Sequence, residues 1–165
     1  MKKIFIFCVV CFAITTLQAQ KKFNENTGKE IFKLLPVKMK DKNVKKENDR
    51  LKDAKGFLGW VCHRDYGDYN QSVRVECINN SPSLISVNAF LSDPTDNPNY
   101  LVTTIGGIKS IIQTINGEDG KIRYEALIPM TATLFTVRST GYTRDDLIAL
   151  ANTIPVAKIA KMVEK

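Results

Sequence analysis

Apolar residues recur along this chain at three different spacings, and each spacing predicts a different kind of element. Ile4 to Ile14 form an almost unbroken apolar run, preceded by Lys2 and Lys3 and followed by the small-residue exit Leu17-Gln18-Ala19. At about eleven residues the run is well short of the roughly twenty that cross a bilayer. It predicts a cleaved export signal over 1–19, with the mature chain starting at Gln20. A helical spacing appears at both ends of the mature chain. Ile31, Phe32, Leu34 and Leu35 predict a short helix capped by Asn26 or Thr27 and stopped by Pro36. Leu147, Leu150, Ala151 and Ile154 fall on one stripe behind Thr143-Arg144-Asp145-Asp146, where two acids suit the positive end of a helix. Pro155 opens a second helical segment with Val156, Ile159, Ala160 and Val163 inward.

Between these ends the period shortens to two. Strands are predicted over 58–63 and 72–78, joined by the turn formers of 64–71, and over 83–91, where Ile85, Val87, Ala89 and Leu91 alternate onto one face. The segment 93–99 holds Pro94 and Pro98 and reads as a loop. Gly106-Gly107 reads as a turn into a strand carrying Ile108, Ile111, Ile112 and Ile115. Asn116 to Gly120 is the strongest hairpin signal in the chain. Its partner strand has Ile122, Tyr124, Ala126 and Ile128 on one face and Lys121, Arg123 and Glu125 on the other. Residues 132–139 predict the last strand.

Strands in a run bracketed by helices give an α+β class. The expectation is an antiparallel sheet of about five to seven strands packed on an N-terminal and a C-terminal helix, in two layers. Residues 20–165, about 146 in number, suit one domain with a sizeable core. The lysine-rich segment 37–55 fits neither period. It reads as an edge strand plus loop, where lysines oppose edge-to-edge pairing.

Charge and cysteine usage narrow the compartment and its chemistry. The formal charge of +7 falls by two, to +5, when Lys2 and Lys3 leave, and between Lys38 and Lys55 eight basic residues stand against four acidic ones. Export removes nucleic acid as the counterpart of that patch. Lipid headgroups, glycan or an acidic protein of the envelope take its place, with possible contact at a membrane surface. Lys42, Lys45 and Lys46 are the candidate contacts, and Trp60, Tyr66 and Tyr69, with Phe57 and Tyr100, are candidates to line a groove. Cys8 and Cys11 lie in the signal without a lipid-attachment pattern. A hairpin centred between Tyr69 and Asn70 sets Cys62 opposite Cys77, and a pair in an exported domain predicts a disulfide. Closing that loop of about fifteen residues is worth roughly 3 kcal/mol.

Catalytic patterns are sparse. No glycine-rich phosphate loop, serine elbow, paired-histidine motif or four-ligand metal spacing occurs, so no cofactor or metal site is expected. His63 is the one histidine. Cys62 and His63 are adjacent in a strand and therefore point to opposite faces, which argues against a thiol-imidazole nucleophile. His63 with Asp65 and Asp68 is the remaining enzymatic possibility, as a general base or partial metal site of a small secreted hydrolase. The loop carrying Asp93, Asp96, Asn97 and Asn99 lacks the alternating acids and distal glutamate of a calcium loop.

The C-terminal half also carries a resemblance. Ile105-Gly106-Gly107-Ile108-Lys109, a strand, the Asn116 to Gly120 turn, two further strands ending in Leu134-Phe135-Thr136-Val137, then Gly141-Tyr142-Thr143 and a closing helix, is similar in layout to small exported PsbP-like domains, over roughly residues 57 to 155. The resemblance implies a non-enzymatic domain that assists assembly or binding at a membrane surface. It transfers no site residues. The functional expectation is thus an exported, non-catalytic binding or assembly-accessory domain of the bacterial envelope, periplasmic or secreted. A hydrolase using His63 and its neighbouring aspartates, and a purely structural envelope component, are the alternatives.

Overall fold

The computed structural model describes residues 23–55 and 58–164. The segment predicted as an export signal, the cleavage point predicted near Ala19, and Phe57 lie outside the described residues.

Chain order is α1 (Glu25–Leu34), β1 (Lys38–Met39), β2 (Lys42–Asn43), a 3-10 turn at Lys46–Asn48, β3 (Arg50–Asp53), β4 (Trp60–Gly67), β5 (Ser72–Asn79), α2 (Ser83–Ser92), β6 (Tyr100–Ile105), β7 (Ile108–Asn116), β8 (Ile122–Pro129), β9 (Thr133–Thr140), α3 (Arg144–Asn152) and α4 (Val156–Val163). The class is α+β. Seven strands form one antiparallel sheet in the order β3-β4-β5-β9-β8-β7-β6, and β1 and β2 make a separate small hairpin. The lysine-rich segment supplies β3, an edge of the sheet, as its composition predicts.

Local chemistry places the ends. The cap of α1 is Asn24 rather than Asn26 or Thr27, its Oδ1 accepting from Thr27 N at 2.9 Å. Thr143 and Asp146 close a reciprocal capping box at α3, with Asp146 N donating to Thr143 Oγ1 at 3.1 Å. Gly106 and Gly107 both have positive φ, at 55° and 83°, and form the two-residue turn that pairs Ile105 with Ile108. Only a primed turn matches the strand twist in so short a loop, and it demands that backbone. The strand β6 before this turn was not predicted; its Thr103-Thr104 pair gives little alternation.

Two apolar clusters lie on opposite faces of the sheet. The larger joins α1, α3 and α4 to Val73, Val75, Cys77, Phe135, Val137 and Ala126. The smaller joins Leu84, Val87 and Leu91 to Ile111 and Leu134. Leu134 and Phe135 are neighbours on β9 and belong to different clusters, as alternation requires. The strand predicted over 83–91 is therefore corrected: this segment is α2, and its buried residues Leu84, Val87 and Leu91 follow helical spacing while Ile85 is 79% exposed. The bracketing helices account for one face of the sheet. A fourth helix, in the middle of the chain, covers part of the other.

Candidate functional site

Alternation along the strands decides which side chains escape the core. On β5, Val73, Val75 and Cys77 are buried against the helices, so Ser72, Arg74 and Glu76 look the opposite way. The same logic puts His63 and Asp65 on β4, Arg138 and Thr140 on β9, and Arg123 and Glu125 on β8 onto that second face. α2 covers the part of it formed by β7, β8 and the start of β9. The rest is open.

Across this open part runs a register row, Asp65↔Arg74↔Arg138↔Glu125↔Gln113, one residue from each of five consecutive strands. Arg74 Nε donates to Asp65 Oδ1 at 3.0 Å, and Arg138 Nη2 donates to both oxygens of Glu125 at 3.0 Å. Two register positions along, on the same face, lies His63↔Glu76. The imidazole is gripped from both sides, with Nδ1 3.0 Å from Glu76 Oε1 and Nε2 2.9 Å from Asp65 Oδ2. Asp65 is held below the usual carboxylate range: burial pushes it up, but hydrogen bonds from His63 and Arg74 outweigh that.

Four depressions merge into one trough along this face. The widest, about 320 Å3, lies between α2 and the sheet, lined by Phe90, Val87, Tyr100, Ile111 and Gln113. Gln113 and Leu127 pass it to a second depression of about 200 Å3, which Arg138 links to a third. The third continues past Asp65 and Arg123 to Lys45 and Tyr69. The trough grades from apolar beneath α2 to charged at the 67–72 turn.

The sequence-predicted residues distribute unevenly over this surface. His63 and Asp65 come together as expected. Asp68 does not join them; its Oδ1 accepts from the backbone of Asn70 and Gln71 within the turn. Among the described residues no group of three or more His, Cys, Asp or Glu side chains is arranged to hold a metal. Lys45 lines the charged end, and its backbone N donates to Asp65 O at 2.9 Å. Lys42 is half-buried beside Gly67 and pairs with Asp41 at 3.2 Å, while Lys46 is exposed on the 3-10 turn. Tyr69 is 78% exposed at the hairpin tip, with Lys121 Nζ 4.7 Å above its ring.

Two aromatic residues turn into the larger core. Tyr66 borders the charged depression, but its side chain is fully buried, its hydroxyl donates to Pro36 O at 2.8 Å, and burial pushes its phenol up to about 12. Trp60 is half-buried at the far end of β4, packed against the larger core and paired with Asp53. Cys62 and Cys77 face each other directly in the β4–β5 register, as predicted, but the structure holds them as free thiols rather than a bridge. Burial pushes Cys62 up to about 12 and Cys77 well above its ordinary value. Such thiols are protonated and poor nucleophiles.

The arginines of the open face were missed at the sequence level. A signal existed: Arg74, Arg123 and Arg138 occupy the polar members of three alternating strands, and reading those members as one surface would have found them. Comparison of the chain with protein-family models, with curated proteins and with solved structures returns no match.

Proposed function

We propose that this protein is an exported, non-catalytic binding or assembly-accessory domain whose recognition surface is the open face of the sheet, between α2 and the lysine-rich segment. The single observation that carries the reading is the trough: a half-uncovered sheet face with a continuous groove, apolar at one end and charged at the other. Binding sites favour concavities that mix apolar walls with a few placed polar groups. The layout shared with PsbP-like domains favours the same class, as does the leader-like start of the chain. The partner is a protein, lipid or glycan of the envelope.

The chemistry of the trough weighs against hydrolysis. A general base needs a lone pair within reach of a substrate proton. Both ring nitrogens of His63 are already directed at carboxylates, and Asp68 is tied into its turn. No described helix is long and apolar enough to cross a membrane, so contact with a bilayer through these helices would be peripheral.

A photoactivatable crosslinking residue placed at Gln113, inside the trough, and another at exposed Lys158 on α4, on the opposite side, test the reading in cells. Discrete adducts from position 113 and none from 158 are the expected result. Equal capture at both positions, or capture from 158 alone, would overturn it.

A further inference from the structure

At the charged end of the trough, three arginines converge. Arg74, Arg138 and Arg123 line a depression of about 200 Å3 with Ser72, Thr140 and a single carboxylate, Asp65. The order of charges across the strands is unusual for a self-sufficient ion-pair ladder. An alternating row would place each cation between two anions. Here the acids sit outside, Asp65 on β4 and Glu125 on β8, and the two cations Arg74 and Arg138 meet in the middle as direct partners. Like charges opposite each other in a sheet destabilise it. Arg123 adds a third guanidinium from the next pair along, opposite Thr140, which is in turn opposite Ser72.

The acids leave donor capacity unused. Arg74 engages Asp65 through Nε, so its two terminal nitrogens point elsewhere; Arg138 engages Glu125 through Nη2, and its Nε is buried without a partner. Arg123 is held bidentately by Asp119, Nη1 to Oδ1 at 3.0 Å and Nη2 to Oδ2 at 2.6 Å, so it contributes a fixed positive charge at the rim rather than a free fork. The result is two guanidinium groups with unused donors, Arg74 and Arg138, a third fixed cation, Arg123, and two hydroxyls around a hollow roomy enough for a small anion. Guanidinium forks match phosphoryl oxygens bidentately, and several around one hollow suit a tetrahedral group better than a flat carboxylate, which one fork saturates.

We propose that this hollow binds a phosphoryl group, with Arg74, Arg138 and Arg123 as its cationic clamp and Ser72 and Thr140 as hydroxyl donors. The inference rests on the open face being the binding surface and specifies the chemistry at one end of it. The phosphoryl group belongs either to a soluble phosphate compound or to a lipid headgroup.

The test is a titration of the protein with inorganic phosphate at fixed ionic strength, chloride being exchanged for phosphate, read by backbone amide shifts. Saturable shifts confined to residues 72–74, 123 and 138–140 are expected, with affinity at least tenfold weaker in Arg74→Gln. Because Arg138→Gln strands the buried Glu125, the second variant is Arg138→Gln/Glu125→Gln, which removes both charges and leaves two amides that can pair; it too should lose at least tenfold. Non-saturating shifts, equal in wild type and both variants, would overturn the proposal. A second arm sediments the protein with vesicles of phosphatidylcholine, with and without phosphatidic acid. Retention by phosphatidic acid that inorganic phosphate competes away identifies the headgroup source; saturation by phosphate without vesicle retention identifies a soluble one. Crosslinks from position 113 without phosphate saturation would sink the phosphoryl assignment alone. Phosphate saturation without face-selective crosslinks would sink the partner-binding reading and leave the anion site standing.

Discussion

Arg64 shows what one side chain does for the polar frame of this protein. It is 5% exposed, yet all its visible donors are met: Nε reaches Asp49 Oδ1 at 2.9 Å, Nη2 reaches Asp49 Oδ2, and Nη1 reaches Phe32 O at 2.9 Å. A buried cation is tolerated only when paired and hydrogen-bonded in this way. The bond set pins the end of α1 and the lysine-rich segment to β4, so the loop bearing Lys45 is fixed beside Asp65. Nothing in the local sequence marks Arg64 for this; it sits in a polar stretch that reads as turn, and its partners are 15 and 32 residues away. Cys62, two residues earlier on the same face, was legible because register depends only on the turn centre. Opposed residues in an antiparallel pair have Cβ atoms about 4.5 to 5.5 Å apart, and a disulfide needs about 3.8 Å, so bridging the free pair would require the two strands to close by about 1 Å. For protein matured outside the cytosol, unfolding without reductant should expose no reactive thiol, and reduction should lower the thermal midpoint, by an amount corresponding to roughly 3 kcal/mol of loop-closure entropy. Two thiols labelled after unfolding in the absence of reductant would dispose of the bridge.

Among the elements, α2 is where sequence and structure part. Its apolar residues satisfy two periods at once: Ile85, Val87, Ala89 and Leu91 alternate, while Leu84, Val87 and Leu91 share a helical stripe. In a stretch this apolar, periodicity cannot arbitrate, and what decides is the partner surface. Leu127, Leu134 and Ile111 form a patch on the second sheet face that a helix covers and a further strand in the same sheet could not. The two readings make opposite predictions for one residue. As a strand, Ile85 would be core; as a helix, it is solvent-facing. Ile85→Lys should therefore change stability by no more than about 0.5 kcal/mol, and Leu84→Ala, 6% exposed, should cost about 2 to 5 kcal/mol in denaturant unfolding. Comparable losses from both would restore the strand. The Gly106-Gly107 turn and the cap of α3, by contrast, were legible because their signals are local: two glycines at positive φ, a Thr and an Asp three residues apart. The trough was not, because its residues come from five strands whose order, β4-β5-β9-β8-β7, departs from chain order where β9 inserts beside β5.

At the scale of the molecule, polar anchoring rests on aspartates at the junctions. Asp41 beside Lys42, Asp68 in the β4–β5 turn, Asp119 with Arg123 in the β7–β8 turn and Asp146 between Lys40 and Thr143 are each held below the usual carboxylate range by those hydrogen bonds, as is Asp65 at the meeting of β4, β5 and the lysine-rich segment. A carboxyl whose folded value lies below its unfolded one, about 3.9, contributes stability that is complete above the unfolded value and lost as pH falls through the folded one. These aspartates thus leave stability flat between about pH 7 and 5 and withdraw it below about pH 4. Asp65 faces His63 and Arg74 on the sheet, with Lys45, Arg123 and Asp68 across the wider depression, and its protonation neutralises the carboxylate that lines the arginine hollow itself. Asp65→Asn should then lower the thermal midpoint near neutral pH, and the gap to wild type should close as pH falls from about 4 toward 2, because the wild-type carboxylate is neutralised there as well. Melting curves of the two proteins that stay parallel down to pH 2 would show that the Asp65 carboxylate does not hold this corner of the fold. The same variant removes a competing anion from the arginine hollow, so at neutral pH its phosphate affinity should rise while its stability falls, a pairing that a merely structural salt bridge does not produce.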